Sequence, residues 1–252
     1  MVIGIEKFKS AFKNYTDKYV LIGGAACDNL MIEAGLEFRT TKDLDIVLII
    51  ELIENDFVSV FWDFIKEGNY EHKQKSNGEM QFYRFMKPKD TSFPAMIELF
   101  SRKLESINLP EESTLTPIPT EEEMSSLSAI LLDDDYYDFI LSHIIDSAGI
   151  PVVTADCLII LKAKAWMDLS KRKENGEKID SKNIKKHKND IIRISQLLIP
   201  GKTISLSESI QQDMVEFMEK YEKDTSIIPK NLGVKVEADT VFRRLKEYFE
   251  LS

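Results

Sequence analysis

LIGGAACDNLMIEAGLEFRTTKDLDIVL, running from Leu21 to Leu48, ends an apolar stretch in two adjacent glycines and later sets two aspartates one residue apart. Tyr19 to Ile22 reads as a buried strand with a tight exit at Gly23-Gly24, and Ala25 to Ala34 as a helix stopped by Gly35. Asp43 to Ile50 reads as the next strand. Side chains alternate faces along a strand, so Asp43 and Asp45 share one face, about 6.6 Å apart at Cα, while Leu44 and Ile46 face the core. On a helix the same spacing would send the two carboxylates about 200° apart, so the pattern depends on a strand. Two carboxylates on one face repel each other and resist burial, and a positive group belongs beside them.

Paired carboxylates suit hard divalent cations, which take oxygen ligands. Two Mg²⁺ ions roughly 3.5–4 Å apart can be bridged by such a pair during an in-line phosphoryl displacement. Glu98, inside the apolar run Ala95-Met96-Ile97-Glu98-Leu99-Phe100, offers a third carboxylate. It either points into a polar cleft or meets a cation; an edge strand with one wet face is the plainer account. Gly23-Gly24 adds backbone N–H groups that a phosphate can approach without interference from Cβ, ahead of a helix N-terminus.

The rest of the chain frames these residues as an α+β fold, a mixed sheet with helices over 1–150 followed by a helical domain over 151–252. Ile5, Phe8, Phe12 and Tyr15 recur at helical spacing, and Phe57, Phe61 and Phe64 predict a second core-facing helix from about Glu54 to Glu67. Lys73 to Gly78 reads as a loop with an Asn-Gly turn, between strands that include Met80–Met86 and Ala95–Ser101. The stretch 107–125 reads as an irregular crossing. Ser128–Leu132 and Tyr136–Ile145 predict a hairpin whose turn is Asp133-Asp134-Asp135. Helices follow at about 155–172, 182–199, 205–222 and 238–250, with Thr154 as an N-cap and Ser205 with Glu208 in capping-box spacing. The boundary falls near Gly149-Ile150-Pro151.

Composition narrows the function classes. With 43% hydrophobic and 30% charged residues the chain is an ordinary globular one, able to bury a real core. Its longest aliphatic run, Ile46 to Ile50, is far short of the roughly 20 residues of a membrane span. The segment MVIGIEKFKS lacks the apolar stretch of a secretion signal, and two cysteines do not make a disulfide framework, so a cytoplasmic protein is expected. Net charge is −10, which argues against broad nucleic-acid coating, yet residues 160–193 hold eleven Lys or Arg against five acids. An anionic substrate should be met there.

Strand, Gly-Gly, helix and then T-K-D-L-D resembles the signature of the polymerase-β-type nucleotidyltransferase superfamily. The wording R-T-T-K-D-L-D-I is similar to its AbiEii branch, the toxin halves of bacterial abortive-infection and toxin–antitoxin systems. Leu161-Lys162-Ala163-Lys164-Ala165 resembles that branch's K-x-x-A helix, and Lys186-His187-Lys188-Asn189-Asp190-Ile191 its later lysine–aspartate motif. The resemblance touches the chain from about 18 to 200. It implies a nucleotidyltransferase-type mixed sheet, with Gly23, Gly24 and Thr41 around a triphosphate and Asp43 and Asp45 on Mg²⁺ or Mn²⁺. Glu98 would take the third carboxylate position, and Lys188 and Asp190 would belong to the nucleotide site. The superfamily often has Ser where Gly24 stands and Asp where Glu98 stands.

Bland readings stand beside these. Lys162 borders the apolar stripe of Leu158, Leu161, Ala165 and Leu169, where it reaches a phosphate across a cleft or snorkels to solvent. Lys186 and His187 share a helical face with Asp190, and local pairing would account for that aspartate. Cys27 and Cys157 lie on apolar helical faces, with no His partner that marks a nucleophile or a zinc site. Three functions remain open. The chain is an AbiEii-like enzyme moving an NMP from an NTP to RNA such as tRNA, a transferase acting on a small molecule or protein, or a non-catalytic relative that binds nucleotide or an antitoxin.

Overall fold

The structure, a computed structural model, describes residues 2–74, 80–103, 115–118, 127–223 and 228–251. The chain forms two compact units, one of Met1–Leu30 with Arg39–Val153 and the other of Met31–Phe38 with Thr154–Ser252. The second unit thus takes in a short segment from the 1–150 half.

The first unit is built on a mixed sheet. Its strands are β1 (Tyr19–Ile22), β2 (Asp43–Leu48), β3 (Glu71–Gln74), β4 (Met80–Met86) and β5 (Met96–Ser101). They are followed by β6 (Leu115–Ile118), β7 (Leu127–Leu131), β8 (Ile144–Ser147) and β9 (Ile150–Val153). The order across the sheet is β3-β4-β5-β2-β1-β9-β8, and β7 pairs with β5 and with β6. β2 runs antiparallel to β1 and parallel to β5, and β4 runs antiparallel to β5.

Two adjacent rows across β2, β5 and β4 explain what this sheet does. Leu44, Ile97 and Phe85 are register partners, and all three are buried. The next row is Asp45, Glu98 and Arg84, three charged side chains on the opposite face. The apolar row belongs to an aromatic core laid down by α1 (Ile5–Phe12) and α3 (Asn55–Gly68). Phe8 and Phe12 stack at 4.4 Å between ring centroids, Phe12 meets Phe57 and Phe61, and Phe61 meets Phe85. Each such ring contributes roughly 1.5–3 kcal/mol on burial, and the period-3.6 phenylalanines of both helices supply it.

α2 (Gly23–Glu33) begins directly at the two glycines and ends as expected at Gly35, whose φ is +69°. The hydrogen bond from Leu36 N to Met31 O closes that end.

Three expectations fail here for clear reasons. Asp133-Asp134-Asp135 is no hairpin turn: Asp133 caps α4 (Asp134–Ser142) by accepting from Asp135 N at 3.0 Å. Acids in a first turn favour a helix start through the macrodipole, and the buried set Tyr136, Tyr137 and Ile140 has helical spacing. The true hairpin is β8–β9, turned by Ala148 and Gly149 at φ +53° and +79°. Lys73 and Gln74 lie in strand β3, and 115–118 is strand rather than irregular crossing. The Asn77-Gly78 turn and the remainder of 107–125 lie outside the described residues.

The second unit is helical, with α5 (Ala155–Glu174), α6 (Ser181–Ile194), α7 (Glu208–Tyr221) and α8 (Ala238–Tyr248). Met214, Phe217 and Tyr221 of α7 and Val241 and Leu245 of α8 are buried. Thr154 holds the N-cap position of α5, but its hydroxyl bonds Asp156 rather than a backbone N–H. Ser205 does not open α7; Ser207 precedes the helix, and the Ser205 hydroxyl lies 3.4 Å from Glu250. Cys157 is fully buried, and that burial, with Asp156 nearby, pushes its thiol well above the usual range. This agrees with its reading as a core residue.

Tyr137 pins the exit of β2. Its hydroxyl accepts from Ile50 N at 3.0 Å and donates to Glu51 Oε2 at 2.8 Å, and burial together with that carboxylate holds its proton on. Tyr137→Phe therefore leaves a buried N–H unpaired and should cost about 1–3 kcal/mol, read as a lower urea midpoint at unchanged slope. An unchanged midpoint would mean that the bond contributes nothing.

Candidate active site

Asp43 and Asp45 lie on one face of β2, both half-exposed, while Leu44 and Ile46 are buried on the other. β1 runs beside them with Ile22 opposite Asp45, so the chain leaves the sheet at Gly23 immediately next to that carboxylate.

The glycines are sterically required. Gly23 has φ +66°, and a Cβ on it would sit 1.9 Å from Asp45 Oδ2. Any other residue there would be strained and would collide with the aspartate. A Cβ on Gly24 would sit 2.5 Å from Thr41 Oγ1 and 3.5 Å from Arg39 Nη2. The space where a serine side chain would begin is filled by the Thr41 hydroxyl, so the departure at Gly24 is matched by a hydroxyl from the neighbouring strand entry. Gly23, Gly24, Thr41 and Asp45 thus meet in one place, with Asp43 on the same strand face. Arg39 is a member that sequence reasoning missed; its signal was a guanidinium two residues before Thr41.

Glu98 meets a cation, one of its two expected fates, rather than lying on a wet edge strand. It is buried at 8% exposure and faces Arg84, whose Nε and Nη2 both bond its Oε1. Arg84 was also missed, although an arginine between Tyr83 and Phe85 is hard to place on a strand without a carboxylate opposite. Among the described residues no group of three or more His, Cys, Asp or Glu is arranged to hold a metal ion.

The Asp43–Asp45 pair by itself still fits a divalent cation. Mg²⁺ commonly binds through one or two carboxylates, with waters and substrate phosphates completing its shell. The pair provides hard oxygen donors on one half-exposed strand face, beside the start of α2.

The remaining candidates lie in the helical unit. Lys162 is buried rather than snorkelling, and its Nζ is 3.1 Å from Asp190 Oδ2. Asp190 is fully buried and also faces Arg193 at 3.5 Å. Lys188, on the same helix, is buried too, and its carbonyl accepts from the Tyr221 hydroxyl at 2.8 Å. Lys171, Lys178, Lys182 and Lys185 are exposed, and Lys186 is half-exposed.

No protein-family model matches the chain, and a search of curated proteins finds no match. A solved structure of the antibiotic-resistance factor ANT(2'')-Ia aligns over 86% of this chain and 91% of its own, at 10% identity and a TM-score of 0.40. No helix among the described residues is long and apolar enough to cross a membrane.

Three substitutions test this geometry. Gly23→Ala should destabilise by about 1–2 kcal/mol from backbone strain alone, plus the collision with Asp45. Asp45→Ala in the same chain should recover the collision part, and strict additivity of the two would contradict the contact. Lys162→Ala strands Asp190 in the interior and should cost about 3–5 kcal/mol, nearer the lower figure because Arg193 remains. A loss below about 1 kcal/mol, the worth of an exposed pair, would show that Lys162 has no such role.

Proposed function

We propose that the protein is a nucleotidyltransferase that moves an NMP from an NTP to an acceptor hydroxyl. The acceptor oxygen attacks the α-phosphorus, the bond to the β-phosphate oxygen breaks, and pyrophosphate leaves. The observation that carries this reading is the convergence of Asp43 and Asp45 on one strand face beside a left-handed Gly23 whose missing side chain makes room for the Asp45 carboxylate.

In this reading Asp43 and Asp45 hold a divalent cation, Mg²⁺ or Mn²⁺, which when bound neutralises charge on the phosphate oxygens. Gly23 and Gly24 offer backbone N–H groups at the start of α2, where the helix terminus favours anions. Thr41 adds its hydroxyl to the triphosphate. Lys162, Lys188 and Asp190 enter as the buried polar frame of the helical unit.

For the acceptor, the proposal takes RNA, with tRNA the substrate that an AbiEii-like toxin would modify in the cytoplasm, and a cognate antitoxin as the protein that would restrain it. The support is the set of exposed lysines Lys171, Lys178, Lys182 and Lys185, which offer phosphate contacts free of base preference.

The test incubates the protein with each α-labelled NTP in turn, Mg²⁺ and total RNA, and follows the label. RNA should be labelled, and Asp43→Ala or Asp45→Ala should lower the rate by about 10²–10³, the scale for losing one preorganised electrostatic group. Both variants should stay folded, because removing either relieves a like-charge repulsion. Label transferred equally by the variants, or by none of the proteins, would sink the reading.

A further inference from the structure

Resting on that reading, we infer that Glu98 is not a ligand of the bound cation. Arg84 already supplies the cation that balances Glu98, leaving a site for a single divalent cation on Asp43 and Asp45. Glu98 is the register partner of Asp45 on a parallel strand, so strand pairing alone brings the two carboxylates side by side. Such a neighbour would ordinarily be the third ligand of a two-ion centre, in which carboxylates bridge ions roughly 3.5–4 Å apart.

The other edge of β5 decides otherwise. Arg84 is the register partner of Glu98 there, and two of its guanidinium nitrogens converge on Oε1. Glu98 is almost wholly buried, so its carboxylate has left bulk water and depends on that guanidinium. Charge-assisted bonds of this kind are among the strong ones, and a buried carboxylate deprived of its cation is heavily penalised. Recruiting Glu98 to a metal would set a second cation against a carboxylate whose charge the guanidinium already balances through Oε1. Arg84 also has a fixed position: its strand neighbour Phe85 is locked in the aromatic core at 0% exposure, so the guanidinium is delivered to the opposite face by the alternation of the strand. Arg84 is therefore a positioning residue that orients Glu98 and excludes a second ion.

Mn²⁺ alone is the probe, titrated into the full chain and followed by the electron paramagnetic resonance of the free ion. Wild type should bind one equivalent. Asp43→Asn and Asp45→Asn should each weaken binding by at least about 10–100-fold, a scale reached even by partners outside the coordination shell. Glu98→Gln should leave the affinity at the wild-type value. Arg84→Met should bind Mn²⁺ more tightly or take a second equivalent, because the freed carboxylate now lies beside Asp45. Adding Glu98→Gln to Arg84→Met should abolish that gain, and Arg84→Lys should show less of it. Circular dichroism checks that each variant is folded, and Glu98→Gln alone decides the matter if Arg84→Met is not. Loss of affinity in Glu98→Gln comparable to that in Asp45→Asn overturns the inference while leaving the transferase reading intact. So does a wild-type stoichiometry of two. Absence of any Asp43- and Asp45-dependent Mn²⁺ binding overturns both.

Discussion

The site rests on a close approach: the Asp45 carboxylate occupies the volume that a side chain on Gly23 would need. This contact fixes where β1 ends and in which direction α2 departs, because only a left-handed residue without Cβ can make the turn there. It also fixes Asp45, since the strand on one side and the glycine on the other leave its side chain little freedom. Asp43 follows by the alternation of β2, and Thr41 is set against Gly24 by the same turn. A constraint between two residues far apart in the chain thus aligns backbone donors and carboxylate acceptors without any side chain dedicated to the purpose.

Burial governs the charges in both units in different ways. In the sheet, Glu98 is balanced across a strand by Arg84, while Asp43 and Asp45 keep access to solvent. In the helical unit, Lys162 and Asp190 are withdrawn from solvent together and Arg193 backs them. A pair of that second kind is weak evidence for extra stability, since its desolvation offsets most of the attraction. Its effect is better seen as a penalty on every other register of α5 against α6, which would strand a charge.

Much of this was legible in the sequence. The period of two around Asp43 and Asp45, the Gly-Gly exit and the phenylalanines of α1 and α3 are local patterns, and each led to the element observed. What was not legible depends on partners distant in sequence. Asp133-Asp134-Asp135 suits a turn or a helix start equally well, and only the burial of Tyr136, Tyr137 and Ile140 chooses the helix. Lys162 stood at the margin of an apolar stripe, which is compatible with a solvated, a functional or a buried lysine until Asp190 is placed. Arg84 drew no notice because its partner lies on another strand. Gly24 looked like a lost hydroxyl because the compensating Thr41 is close only in space.

The row Asp45, Glu98 and Arg84 has a kinetic side. Glu98 is joined to Asp45 through parallel strands, and the chain between them carries α3, β3 and β4. Loop-closure entropy must be met before such non-local contacts return any stability, so pairings of this type form late. A nascent or partly folded chain therefore displays the two aspartates of β2 without the neighbours that complete the row. The row that sets Glu98 and Arg84 beside Asp45 thus depends on non-local pairing, whereas Gly23, Asp43 and Asp45 meet across the shorter β1–β2 connection.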